Sequence, residues 1–230
     1  LRSFASPSFC SYIAFTRGAG GGSISYTSSI SSIMSYNHNT GVWSGPMSIW
    51  STPSDTGFGP LTISVDANGY IHLIYSKNKT HDFVTYHARS KTPYSIGTIS
   101  SDWVHLSDII PSNYNQRTLN QYFIIDKNGI QYFICDYHDY YGFPELSSLL
   151  YYKSINNGIT WSGVNSIVLE NVPPNYPNIH VLWLDDCYYD DIDNRIYITW
   201  HRESAVNARK EDIYVAYLNC NDLNMYSLRN

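Results

Sequence analysis

The sequence predicts an all-β protein, a β-propeller built from four-stranded antiparallel blades, and three observations predict it. No stretch of ten or more of the 230 residues keeps a helical period, whereas short runs alternate with period two and are rich in Tyr, Ile and Val. Asp/Asn/Gly turns separate those runs. The third observation is a tandem repeat: Trp43, Trp103 and Trp161 are spaced 60 and 58 residues apart. A second signature keeps the same step, with Asp66-Ala67-Asn68-Gly69 before YIHLIY, Asp126-Lys127-Asn128-Gly129 before IQYFIC, and Asp191-Ile192-Asp193-Asn194 before RIYITW. Internal periods of this length mark solenoids, propellers and arrays.

Each period reads as a meander of four strands. The first has a short strand near residues 2–5, then YIAFT (12–16), SSIMSY (31–36) and a strand from Val42. The second has LTISV (61–65), YIHLIY (70–75), VTYHARS (84–90) and WVHL (103–106). The third has NQYFII (120–125), IQYFIC (130–135), LLYYKS (149–154) and a strand opened by Thr160-Trp161. Between its last two strands lies Asn157-Gly158, a strong hairpin signal because both turn positions need positive φ. The fourth has HVLWL (180–184), RIYITW (195–200), DIYVAYL (212–218) and NMYSL (224–228). The expected blades are 1–55, 56–115, 116–174 and 175–230, forming one domain. Radial repetition leaves only short sheet edges, which favours a propeller over a sandwich. Four repeats make either a small closed ring or part of a larger one.

Composition narrows the function classes. Charged residues are only 14%, Tyr numbers 22, and the net charge is −5 with no Lys/Arg run, so there is no electrostatic footprint for nucleic acid. No apolar run approaches membrane-spanning length. The chain starts in repeat-like sequence without an initiator Met, which is expected of a mature product or a segment of something longer. Cys10, Cys135, Cys187 and Cys220 lack the CxxC spacing of zinc sites, leaving open two disulfides or four buried thiols. Asn78-Lys79-Thr80 is a glycosylation sequon.

In a meander, the loops between second and third strands gather on one face, where function tends to reside. These loop mouths carry Arg17, then His81, then His138, Tyr140 and Tyr141, then His201 and Arg202. Arg forks pair carboxylates and aromatic rings stack on sugars, so the set suits an anionic or hydroxyl-rich ligand. The acidic run Asp185, Asp186, Asp190, Asp191 and Asp193 offers oxygen ligands for Ca²⁺, but Asp193-Asn194 occupies the turn where an earlier repeat has Asn68-Gly69. The structural reading of that run is preferred, and no cofactor is expected. His72 and His105 alternate within strands and read as structural.

Ser154-Ile155-Asn156-Asn157-Gly158-Ile159-Thr160-Trp161 resembles the Asp-box (BNR) repeat of sialidase-like propellers, with Asn156 in the Asp position. FTRGAGGGSISY (15–26), MSYNHNTGVWSG (34–45), THDFVTYHARSKTPYSI (80–96) and RIYITWHRES (195–204) resemble the BNR-repeat family that contains ulvan-lyase-like polysaccharide lyases. Those relatives have about seven blades. The resemblance implies β-elimination on a uronic-acid polysaccharide: Arg17 neutralises the carboxylate, a His such as His81 or His138 takes the C5 proton, and a Tyr such as Tyr140 serves the leaving oxygen. Tyr141, His201 and Arg202 would bind substrate. Where the family has a Tyr-Pro-Arg-Phe-like segment, this chain has Leu1-Arg2-Ser3-Phe4. The expectation is an extracellular carbohydrate-active propeller, secreted or on a cell or virion surface, that binds and cleaves an acidic polysaccharide. The alternative is a non-catalytic glycan-binding, adhesion or receptor-binding module assembled into a larger surface structure.

Overall fold

The computed structural model describes residues 2–5, 10–18, 29–51, 61–79, 82–113, 116–117, 120–139, 147–162, 165–169, 180–204 and 209–228. These residues form four antiparallel sheets, with one 3-10 turn at Ser100–Asp102 among them. The first sheet holds β1 (Arg2–Ala5), β2 (Cys10–Gly18), β3 (Ser29–Asn37) and β4 (Val42–Ser51). The second holds β5 (Leu61–Val65), β6 (Ile71–Lys79), β7 (Asp82–Ser90) and β8 (Trp103–Asn113). In the third, β9 (Gln116–Arg117) and β10 (Gln121–Ile125) both pair with β11 (Gln131–Asp139), which is followed by β12 (Ser147–Ser154) and β13 (Asn165–Leu169). The fourth holds β14 (His180–Asp190), β15 (Arg195–Ser204), β16 (Arg209–Asn219) and β17 (Met225–Ser227). Strand order follows chain order in every sheet, so each repeat is the expected meander.

The chain divides into two compact units, Leu1–Tyr114 with Gly158–Thr160, and Asn115–Asn157 with Trp161–Asn230. The core of the first is built on Tyr12, Ile33, Ile71 and Leu73, all fully buried. Its strand β6 is buried on both faces from Ile71 to Tyr75, which is why that run is continuously apolar apart from His72. The second unit packs Tyr132 and Ile134 of β11 against Leu149, Ile196, Ile198 and Leu218. Each such aliphatic side chain stabilises its unit by roughly 1.5–3 kcal/mol relative to exposure.

The turns explain the repeated Asp-x-Asn-Gly signature. Asp66 Oδ1 accepts from the backbone N–H of Asn68 and Tyr70, both at 2.9 Å, and Asp126 Oδ1 accepts from Asn128 at 2.9 Å and Ile130 at 2.8 Å. The closing glycines Gly69 and Gly129 sit at φ 84° and 78°, a region open to residues without Cβ. In the fourth repeat the turn is shifted. Asp190, not Asp191, plays the capping part by accepting from Ile192 N–H at 3.0 Å, and Asn194 takes the positive φ of 55°.

The hairpin at residues 155–160 has Asn157 at φ 57° and Gly158 at φ 80°, as its sequence requires. Its fourth strand nevertheless begins at Asn165 rather than Thr160, so Trp161 precedes the strand while Trp43 and Trp103 lie within theirs. The three periodic tryptophans also differ in burial. Trp103 is buried and donates Nε1–H to the Ile96 carbonyl at 2.9 Å, whereas Trp43 is exposed and tilts against Tyr36. All four cysteines are free thiols. The acidic run does not converge: among the described residues no three His, Cys, Asp or Glu side chains are placed to hold a metal ion. No helix among them is long and apolar enough to cross a membrane.

Candidate functional site

The second strand of each sheet leads toward its own connection to the third strand, and the register fixes which residues stand at its end. In β2, Arg17 is paired through its backbone with Ile30, next to the final pair Gly18 with Ser29. His138 in β11 is paired with Ser147 on one side and Arg117 on the other. His201 and Arg202 lie in β15 opposite Trp183 and Leu182. His81, Tyr140 and Tyr141 lie outside the described residues. Arg17 belongs to the first unit, and His138, His201 and Arg202 to the second.

The best-defined chemistry is in the second unit. His201 is buried and its Nδ1 lies 2.8 Å from Asp185 Oδ1. A carboxylate can only accept, so Nδ1 carries a proton, and whenever the ring is neutral its lone pair is on Nε2. That is the tautomer of a general base. Asp185 reaches this position because β14 bulges there: Leu184 pairs with Trp200 and Asp186 with Thr199, leaving Asp185 as the extra residue. A bulge re-aims a side chain and twists the strand locally, and bulges gather beside functional sites. The Asp185 backbone is tied down as well, since the Tyr122 hydroxyl donates to its carbonyl.

Asp136, fully buried in β11 two residues before His138, has a structural task. Its carboxylate accepts from Asn120 N–H and Nδ2, both at 2.8 Å, and from Leu184 N–H at 3.4 Å. It thereby couples the segment before β10 to β14, beside the bulge. From sequence, Asp185 reads only as a member of the acidic run, and Tyr122 and Asp136 carry no signal of a site. Asp185 sits in the run read as acidic turn, and only the bulge exposes its role.

Adjacent residues of a strand point to opposite faces. Arg202 accordingly shares the face of Trp200 and Ile198, while His201 shares that of Thr199 and Tyr197. The two side chains therefore leave opposite faces of β15.

In the first unit the titratable cluster is structural. His72 Nε2 lies 3.2 Å from Asp66 Oδ2 and its Nδ1 lies 2.9 Å from His87 Nε2, with both rings fully buried. Burial depresses both imidazole pKa values; for His72 the Asp66 carboxylate opposes that, and for His87 the neighbouring His72 adds to it. The chain runs through the start of β6, at the turn end of the sheet. His105 is exposed in β8, with its Nε2 3.2 Å from Asp108 Oδ1.

Together, the four meanders and the strand ends define a class: a β-propeller fold with its candidate chemistry at the second-to-third-strand ends. No family model matches the chain. In sequence it is 33% identical over 150 residues to Ulvan Lyase-PL25 of Pseudoalteromonas sp. (strain PLSV), a match covering 56% of this chain and 28% of that protein. In structure it is similar to a polysaccharide lyase PL25 ulvan lyase, with TM-score 0.69 and 20% identity over 97% of this chain and 52% of that one. The ulvan lyase structure bound to GlcA(1-4)Rha3S gives TM-score 0.68. An endo-arabinase from Bacteroides thetaiotaomicron VPI-5482 gives TM-score 0.58 and 11% identity over 99% of this chain and 80% of that one. The chain thus spans about half of the solved ulvan lyase and less of the curated one. Likeness to both a lyase and an arabinase establishes the fold and leaves the reaction to be argued from the site.

Proposed function

We propose that this chain is a carbohydrate-active propeller, or part of one, that binds an acidic polysaccharide and cleaves it by β-elimination, acting outside the cell. The observation that carries the reading is His201, oriented by the bulged Asp185 so that Nε2 is a proton acceptor, in a chain whose sequence is similar to ulvan lyases.

The chemistry is a proton abstraction next to a carboxylate. A base takes the C5 proton of a uronate, the electron pair forms the C4=C5 double bond, and the C4–O bond breaks as a general acid protonates the departing oxygen. A cation or hydrogen-bond donor at the carboxylate stabilises the charge that develops there. His201 is the base whose geometry fits. His138, near the end of the equivalent strand β11, and Tyr140 and Tyr141, next after that strand in sequence, are the candidates for assisting proton transfer and for stacking on the sugar. Arg17 as carboxylate neutraliser and His81 as base are what the family resemblance implies instead, and both belong to the first unit. The Asp-box reading of 154–161 and the single propeller domain belong to this proposal.

The test is the ultraviolet absorbance of the unsaturated uronate on incubation with a panel of acidic polysaccharides, using wild type and the single variants H201A, H138A and R17A. Absorbance that rises with wild type and collapses in H201A supports the assignment. A rise unaffected by H201A moves the base to His138 or His81. No rise on any polysaccharide, with retained binding on a glycan array, replaces the enzyme by a binding or adhesion module.

A further inference from the structure

At the other end of the strands lies a cavity that the proposed reaction does not use. It has a volume of about 530 Å³ and belongs wholly to the first unit. It lies where β2 begins and β3 ends, since Cys10 pairs with Asn37 there while Gly18 pairs with Ser29 at the far end. The connection between β7 and β8 forms its other wall. Strands of nine residues put it roughly 25–30 Å from the second-to-third-strand connections.

The lining is chemically consistent. Ser35, Ser44, Thr92 and Thr98 contribute hydroxyls and Asn37 an amide. Asn37 Oδ1 is engaged by the backbone N–H groups of Asn39 at 2.9 Å and Thr40 at 3.1 Å, which orients its amide group. Among the described residues no Lys or Arg lines the cavity, and the one acidic residue there, Asp102, is committed to the loop through Thr98 N–H at 2.7 Å and Ile99 N–H at 3.2 Å. Neutral donors and acceptors beside a carboxylate disfavour an anion and suit an uncharged polyol.

Tyr94 turns this cavity into a built site. Its backbone has φ 56°, a left-handed conformation that bulky residues rarely adopt, and it stays there because it is anchored at both peptide groups. Its N–H donates to the Gly69 carbonyl at 2.7 Å, and its carbonyl accepts from the Tyr12 hydroxyl at 3.1 Å. The ring lies against Gly69 so closely that a Cβ there would meet ring carbons at 2.3–2.7 Å. One face of the ring is thus covered, yet the residue remains 42% exposed beside the cavity. A rigid, half-covered aromatic plane among hydroxyl and amide groups is how proteins present a stacking platform to a sugar.

We infer that this cavity is a second, non-catalytic carbohydrate site, which takes a neutral sugar stacked on Tyr94. It would anchor an uncharged residue of a glycan at the turn end of the sheets, independently of the chemistry at the opposite end.

The test is saturation-transfer-difference NMR on the intact chain with cellobiose, lactose and maltose as neutral probes and glucuronate as the anionic one. Tyr94→Gly removes the platform with a residue that adopts φ 56° freely, and Ser44→Leu replaces a lining hydroxyl on β4 with a bulkier apolar group. Both are checked for folding by amide spectra. The expected result is transfer to at least one neutral disaccharide, little to glucuronate, and at least a fivefold affinity loss in each variant. Absence of transfer from all three disaccharides, equal transfer to glucuronate, or binding unchanged in folded Tyr94→Gly and Ser44→Leu would overturn the inference.

Discussion

Lowering the pH from 7 to 5 should destabilise the first unit through the buried pair His72 and His87. His72 donates from Nε2 to Asp66 and therefore accepts at Nδ1 from His87, an arrangement that requires His72 to be neutral, while burial keeps His87 neutral too. Burial lowers both folded-state pKa values from 6.5, that of His87 far below. A histidine with a depressed folded pKa contributes stability that is present above its unfolded value and is lost as the pH falls below it. In the unfolded chain each ring takes a proton near pH 6.5, so a ring that stays neutral when folded costs about 2 kcal/mol of stability at pH 5. His87 should give that full amount and His72 less, because the Asp66 carboxylate favours its protonated form. The Asp66 pKa is itself lowered from 3.8 by hydrogen bonds from His72, Tyr70 and Asn68 that outweigh its burial, so its own contribution is lost only below this window. Urea unfolding between pH 5 and 7, followed at the Trp103 indole N–H signal, reads the first unit. The same series on His87→Gln should show a shallower pH slope, whatever its stability at pH 7. A wild-type slope of zero across this range, or an unchanged slope in His87→Gln, would refute the reasoning.

Three further outcomes follow from the geometry. If His201 is the base, His201→Ala should lower kcat by about 10²–10⁴-fold, and Asp185→Asn should lose less, because an amide still reaches Nδ1 but no longer fixes the tautomer. Thiol titration of native protein at pH 8 should modify Cys10 and Cys187 first. Burial pushes the Cys220 thiol up to about 11 and raises Cys135 too, so those two should react only on unfolding, giving four in all; fewer than four would reveal a disulfide. Gly129→Ala should cost about 1 kcal/mol in urea unfolding from its φ of 78° alone, since nothing stands within 4 Å of the new methyl. Gly69→Ala should cost more, because its methyl would strike the Tyr94 ring.

The fold was legible because its signals are local. Asp66-Ala67-Asn68-Gly69 and Asp126-Lys127-Asn128-Gly129 carry both the capping carboxylate and the residue free to take positive φ, so each turn is written within four residues. Strands between such turns follow from alternation and propensity. The misplacements arose where tertiary packing chose among equivalent local options. Thr160-Trp161 has strand propensity, yet Trp161 instead lies edge-on to Phe123 and the strand begins four residues later. The two-residue strand β9 is too short to carry any pattern.

The candidate site was legible only in part, because its key geometry depends on an interruption of the pattern. Leu184-Asp185-Asp186 reads as the end of a strand, since two consecutive carboxylates fit neither a core face nor an alternation. The strand in fact continues to Asp190, because the bulge takes Asp185 out of the count and restores alternation beyond it. The same extra residue lets a carboxylate meet His201 across the pair of strands and a carbonyl meet Tyr122 from the neighbouring sheet. A bulge costs ladder pairing, and here the lost pairing is replaced by two side-chain hydrogen bonds that both converge on one residue. Removing Asp185 would therefore do more than delete a charge: it would bring β14 back into register and withdraw the support of the histidine together with that of Tyr122.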